Sequence, residues 1–108
     1  MALYAYVPDL MDRSKVLAAA PSVVIVADVR RLSAAAGDTV VLDLSRPQAL
    51  DAVPRLRLAG ARVVGFASHV DRDRIAQAEA AGCEVLARSA FFSRLAAVLA
   101  ASGPTAPG

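Results

Sequence analysis

The sequence is marked first by what it lacks. There is no tryptophan, aromatic residues make up only 5% of the chain, and there is one cysteine, Cys83, and one histidine, His69. One cysteine excludes an internal disulfide framework and a multi-cysteine metal site. Standing at the start of a short apolar run, Cys83 reads as a small buried hydrophobe. A lone histidine is too few for a histidine metal cluster and forms no Ser-His-Asp triad by sequence alone, although Ser68 is its neighbour. No apolar run approaches the ~18 residues of a membrane span, and the N-terminus carries no signal-peptide pattern, so a cytoplasmic protein without a membrane partner is expected. The net charge is only +2 and the basic residues are scattered. The clustered basic stripe and interleaved aromatics of a nucleic-acid binder are missing, and the Arg30-Arg31 pair reads as a solvated face.

What is present is length for one domain and an apolar fraction of 56%, much of it alanine. Short β-branched runs alternate with helical periods. Strands are expected over Leu3–Val7, Val23–Val26, Thr39–Leu44, Arg62–Ala67 and Cys83–Ala87. Between and after them, a first helix starts at Asp9, with Asp12 as a capping-box-like acid and Leu10, Val16, Leu17 and Ala20 near one face. Asp28 caps a second helix reaching about Ala36, closed by Gly37-Asp38. A third covers Pro47–Leu58, where Pro54 must kink it or begin a second turn. A fourth runs over Val70–Ala81, with Ile75, Ala78 and Ala81 inward. The last opens at Arg88-Ser89 and buries Phe92, Leu95, Val98 and Leu99. Five strands alternating with five helices predict an α/β fold: a doubly wound, parallel, five-stranded sheet in a three-layer (βα)₅ sandwich. The domain spans residues 1–101, and 102–108 reads as a flexible tail.

The centre of this pattern is Thr39–Pro47. Val40, Val41 and Leu42 suit a strand buried on both faces, and the run stops at Asp43, which belongs where the strand leaves the sheet. Ligands of open parallel sheets bind at the carboxyl ends of strands. The residues leaving the strands are Asp9, Asp28, Asp43-Leu44-Ser45, Ser68-His69 and Arg88-Ser89. Ser45, Ser68 and Ser89 each precede a helix. They read either as ordinary N-caps or, taken together, as hydroxyls around an anion. His69 reads as a hydrogen-bonded loop residue. Asp9, Arg88 and Asp43 could also form a self-satisfying ion cluster, with Arg88 bridging both carboxylates.

The chain resembles the receiver domains of bacterial two-component response regulators, over essentially residues 2 to 101. The resemblance rests on the (βα)₅ order, on Asp43-Leu44-Ser45-Arg46-Pro47 with its acid four residues before a proline, and on Ala80-Ala81-Gly82-Cys83 ahead of the last strand. It implies that Asp43 is the phosphoacceptor and Asp9 a metal-holding acid, so that Asp9 and Asp43 would form a weak Mg²⁺ site. It also implies that Ser68 or Ala67 is the switch position and that Arg88 stands where the family has lysine. The chain departs from the family pattern in four places: one acid after the first strand, Ala67 at the aligned hydroxyl position, Arg88 for lysine, and Ser89 for proline.

The leading expectation is therefore a stand-alone, divergent receiver-like (pseudo-receiver) protein. It would act by regulated protein–protein interaction with a signalling partner, or with a second copy through the face of the fourth helix, fifth strand and fifth helix. The alternatives are a single-domain response regulator phosphorylated on Asp43 by a histidine kinase, and an anion-binding module using Ser45, Ser68, Arg88 and Ser89. A conventional enzyme is not expected.

Overall fold

A computed structural model describes residues 1–100. Five parallel strands, β1 (Leu3–Tyr6), β2 (Val24–Ile25), β3 (Thr39–Asp43), β4 (Arg62–Ala67) and β5 (Glu84–Ala87), lie in the order β2-β1-β3-β4-β5. The helices are α1 (Leu10–Ala19), α2 (Pro47–Leu58), α3 (Arg72–Ala80), α4 (Arg88–Ser93) and α5 (Leu95–Ala100). They lie on both faces of the sheet. Two separate cores result. Val16 of α1 and Phe91, Leu95 and Leu99 of α4 and α5 pack on Val41, Val64 and Phe66. Ala49, Val53 and Leu56 of α2 and Ala78 of α3 pack on Val40, Leu42 and Val63. This is the expected three-layer α/β sandwich, a flavodoxin-like (βα)₅ arrangement. The reading of 102–108 as a tail lies outside the described residues.

The strands follow directly from the sequence. β3 is buried along its whole length because β1 and β4 flank it and helices cover both faces, which suits its apolar centre Val40–Leu42 between Thr39 and Asp43. Gly37, Gly60 and Gly82 end the connections with positive φ, a conformation that a side chain would oppose.

Several helix expectations are corrected. The second helix is a single 3₁₀ turn, Val29–Arg31. Asp28 caps it as expected, accepting from the Arg30 N–H. The Arg55 guanidinium of α2 donates to the carbonyls of Val29 and Leu32, at 2.9 and 2.6 Å, and so ties the turn to α2. Beyond the turn, the buried Asp38 carboxylate accepts from the N–H groups of Ala35 and Ala2, which fixes an irregular path. α3 begins at Arg72, two residues later than expected, leaving Val70 exposed. The last helix is broken at Arg94 into α4 and α5, and Phe91 takes the deepest position in place of Phe92. α2 runs unbroken through Pro54. In α1, Leu10 and Leu17 face outward, and the buried residues are Asp12 and Val16.

Candidate functional site

The carboxyl ends of β1, β3 and β5 bring Asp9, Asp43 and Arg88 to one edge, as strand order requires. Asp43 is the last residue of β3 and only 4% exposed. Its strand alternation sets it on the same face as Val41, beside Phe66, its register partner on β4. The Asp43 carboxylate is satisfied locally. Oδ1 accepts from the Ser45 hydroxyl at 2.7 Å and from the Ser45 N–H at 3.0 Å, while Oδ2 lies 3.7 Å from Arg46 Nε.

Ser45 is therefore not the cap of α2. Arg46 holds that position, and the serine hydroxyl is spent on Asp43. Ser68 is exposed and its hydroxyl makes only a 3.5 Å contact with the Val70 N–H, while Asp71 occupies the cap position of α3. His69 is exposed beside it. Ser89 lies inside the first turn of α4, whose cap position is Ala87. None of the three serines holds the cap position of the helix that follows it.

Arg88 departs furthest from expectation. It does not hydrogen-bond to Asp43 or Asp9; it donates to Asp12, 76 positions away in the chain. Asp12 is 2% exposed in the first turn of α1, so this acid serves as a buried counter-ion and not as a capping-box partner. The Arg88 guanidinium also lies over the rings of Phe66 and Phe92, at 5.6 and 5.1 Å from their centroids. Phe66, Phe91 and Phe92 form one aromatic cluster, with centroid separations of 4.7 to 5.1 Å. A planar guanidinium suits that seat, stacking on rings while it donates along its edge. The hydrogen bond to Asp12, helped by the charges of Asp12, Asp43 and Asp9, raises the Arg88 pKa further, so it stays cationic.

Asp9 is the true cap of α1. Its carboxylate accepts from the Asp12 N–H at 2.9 Å, and this bond is the main reason its pKa is lowered; the charges of Arg88 and Arg46 add to it. The acids at this edge thus have separate tasks: Asp9 a helix terminus, Asp12 the Arg88 guanidinium, Asp43 the Ser45 turn. Among the described residues no three His, Cys, Asp or Glu side chains gather to hold a metal. Magnesium needs several oxygen ligands in near-octahedral geometry, and this donor set does not fit it.

Sequence reasoning missed Asp12, Arg46, Phe66 and Phe92. The clue to Asp12 was its spacing: it lies four residues before Val16, on the inward face of α1. A cleft of about 480 Å³ lies elsewhere, at the end of β2, where Tyr4, Val26, Asp28, Arg31 and Leu32 line the space beside the 3₁₀ turn. It includes none of Ser45, Ser68, Arg88 and Ser89.

The fold and the edge geometry define an α/β domain whose strand-end acids Asp9, Asp12 and Asp43 are each engaged by neighbouring groups. No protein-family model, curated protein or solved structure matches the chain significantly. No helix among the described residues is long and apolar enough to cross a membrane.

Proposed function

We propose that this domain is a divergent receiver-like (pseudo-receiver) signalling module, which works by protein–protein contact and not by phosphotransfer. The observation that carries this reading is the engagement of Arg88 by Asp12 and by the rings of Phe66 and Phe92. A phosphoryl group arriving on Asp43 would need a cation to meet its new charge. Two cations stand at this edge: Arg46, half exposed and 3.7 Å from Asp43, and Arg88, where the family has lysine, which is already neutralising a buried acid, so that taking it away would leave Asp12 uncompensated. Asp43 is itself buried and engaged by Ser45. The edge is built as a structural cluster, and a cytoplasmic signalling partner is the matching expectation.

Incubation with acetyl phosphate and magnesium, followed by intact-protein mass measurement, tests this reading. The expected result is an unmodified protein. Phosphorylation that Asp43→Ala abolishes would make the chain a working response regulator instead.

A further inference from the structure

The sheet face that carries α2 and α3 is short of cover at its β2 end. Tyr4 of β1 and Val24 of β2 are register partners, so their side chains stand together on that face. Val26 follows two residues on, and Tyr4 and Val26 both pack against the core beneath α2. A full helix between β2 and β3 would lie over these residues. The chain instead makes the single turn Val29–Arg31, held down by the buried Val29 and Leu32. Val24 is left 48% exposed and Tyr4 only half-buried. The space that remains is the cleft of about 480 Å³, with Tyr4, Val26 and Leu32 among its apolar walls and Asp28, Arg31 and Ser33 as its polar groups. A concave, mostly apolar lining with a few polar groups, at this volume, is the form of a small-molecule site.

The polar groups are not equivalent. Asp28, the one acid lining the cleft, is already engaged: Oδ1 accepts from the Arg30 N–H and Nε, and Oδ2 from Arg30 Nη2 at 3.2 Å. Arg31 has no such partner. Among the described residues its guanidinium has no carboxylate within ion-pair distance. Neither it nor the hydroxyls of Tyr4 and Ser33 take part in a side-chain hydrogen bond there. The Asp28–Arg30 pair is neutral, so the uncompensated charge of the cleft is the single positive charge of Arg31.

That charge selects the ligand. A cationic ligand finds no unpaired acid here, and a phosphate dianion finds one cation where it needs more. A carboxylate carries one charge, and its two oxygens match the fork of one guanidinium. The apolar walls call for an apolar body, and the half-buried Tyr4 ring favours a flat one that can stack or meet it edge-on. We infer that this cleft binds a small aromatic carboxylic acid, with its carboxylate on Arg31 and its ring against Tyr4. The site shares no residue with the cluster of Asp9, Asp12, Asp43 and Arg88, and it does not depend on the contact-module reading.

The test is an amide NMR titration of the full chain, ¹⁵N-labelled, with benzoate, 4-hydroxyphenylacetate and indole-3-acetate. Each acid is paired with its neutral amide. At least one acid is expected to bind saturably, with shifts centred on Tyr4 and residues 25–33, and about tenfold or more tighter than its amide. Arg31→Gln should bring that acid down to the affinity of its amide without altering thermal unfolding, since Arg31 is exposed and holds no other group. Arg72→Gln, an exposed arginine on α3, should leave binding unchanged. No saturation by any of the three acids at about 10 mM would overturn the inference. So would equal affinity for acid and amide, shifts centred elsewhere, or undiminished binding in Arg31→Gln.

Discussion

Arg88, the first residue of α4, donates to the buried carboxylate of Asp12 in the first turn of α1, and so ties the end of β5 across the sheet edge to the helix that follows β1. The same guanidinium stacks on Phe66 and Phe92. One side chain thereby fixes three elements and leaves Asp43 to be satisfied by Ser45 and Arg46.

Removing Arg88 leaves Asp12 charged and without its cation inside the protein. Arg88→Ala is expected to cost about 2 kcal/mol, less than the 3–5 of a fully buried pair because about half of the arginine side chain is exposed. In that background Asp12→Ala should cost little more, and a double-mutant cycle by urea unfolding checks the coupling. Additive losses would deny it.

Gly65 sits in mid-β4 where a Cβ would lie 2.5 Å from Leu44 Cδ1 and 3.1 Å from Cys83 Sγ. Gly65→Ala therefore overpacks a core with no slack and should destabilise by roughly 1–3 kcal/mol. Urea unfolding measures it; an unchanged midpoint would show that Leu44 moves aside freely.

Burial pushes the Cys83 thiol up to about 12, with the Glu84 charge adding to the effect. The thiolate is the reactive form. Cys83 should resist a disulfide reagent at pH 8 in the native protein and react promptly in urea. Rapid native labelling would contradict the burial.

Stability should fall in acid. The Asp38 pKa is lowered, first by the Ala2 N–H and then by the Ala35 N–H; those of Asp9 and Asp28 are also lowered, chiefly by the Asp12 N–H and by the Arg30 side chain. A depressed carboxylate contributes stability that is complete above its unfolded value of about 4 and is lost as pH falls through the folded value. The urea midpoint should be flat near neutrality as far as these groups are concerned and decline below about pH 4, less steeply in Asp38→Asn. A midpoint that rises toward acid would contradict the assignment.

The sheet was legible in the sequence because each strand is a short, mostly apolar run with a glycine, proline or acid close to at least one of its ends, a local signal. The caps at Asp9 and Asp28 were legible for the same reason. The length of the second helix was not: Ala34, Ala35 and Ala36 have high helical propensity, and contacts made after the chain folds, Arg55 on the Val29 and Leu32 carbonyls and Asp38 on the Ala35 and Ala2 N–H groups, hold it in another path. Propensity yields to such tertiary contacts. At the site, the strand-end residues could be named but not paired. Asp12 and Asp9 are both acids near one helix start, and only the packing of α1 against α4 and α5 decides which one meets Arg88. The serines misled because Ser45 prefers a buried carboxylate to a helix terminus, an option that spacing alone does not reveal.

The account turns on whether the strand-end cluster is closed. The most direct measurement is an amide NMR titration with magnesium and beryllofluoride, an aspartyl-phosphate mimic, beside an Asp43→Ala control. The account predicts that the resonances of Asp43, Ser45, Ser68 and Arg88 stay where they are in a well-folded protein. Shifts at those residues that vanish in the control would show an open phosphoacceptor pocket and contradict it.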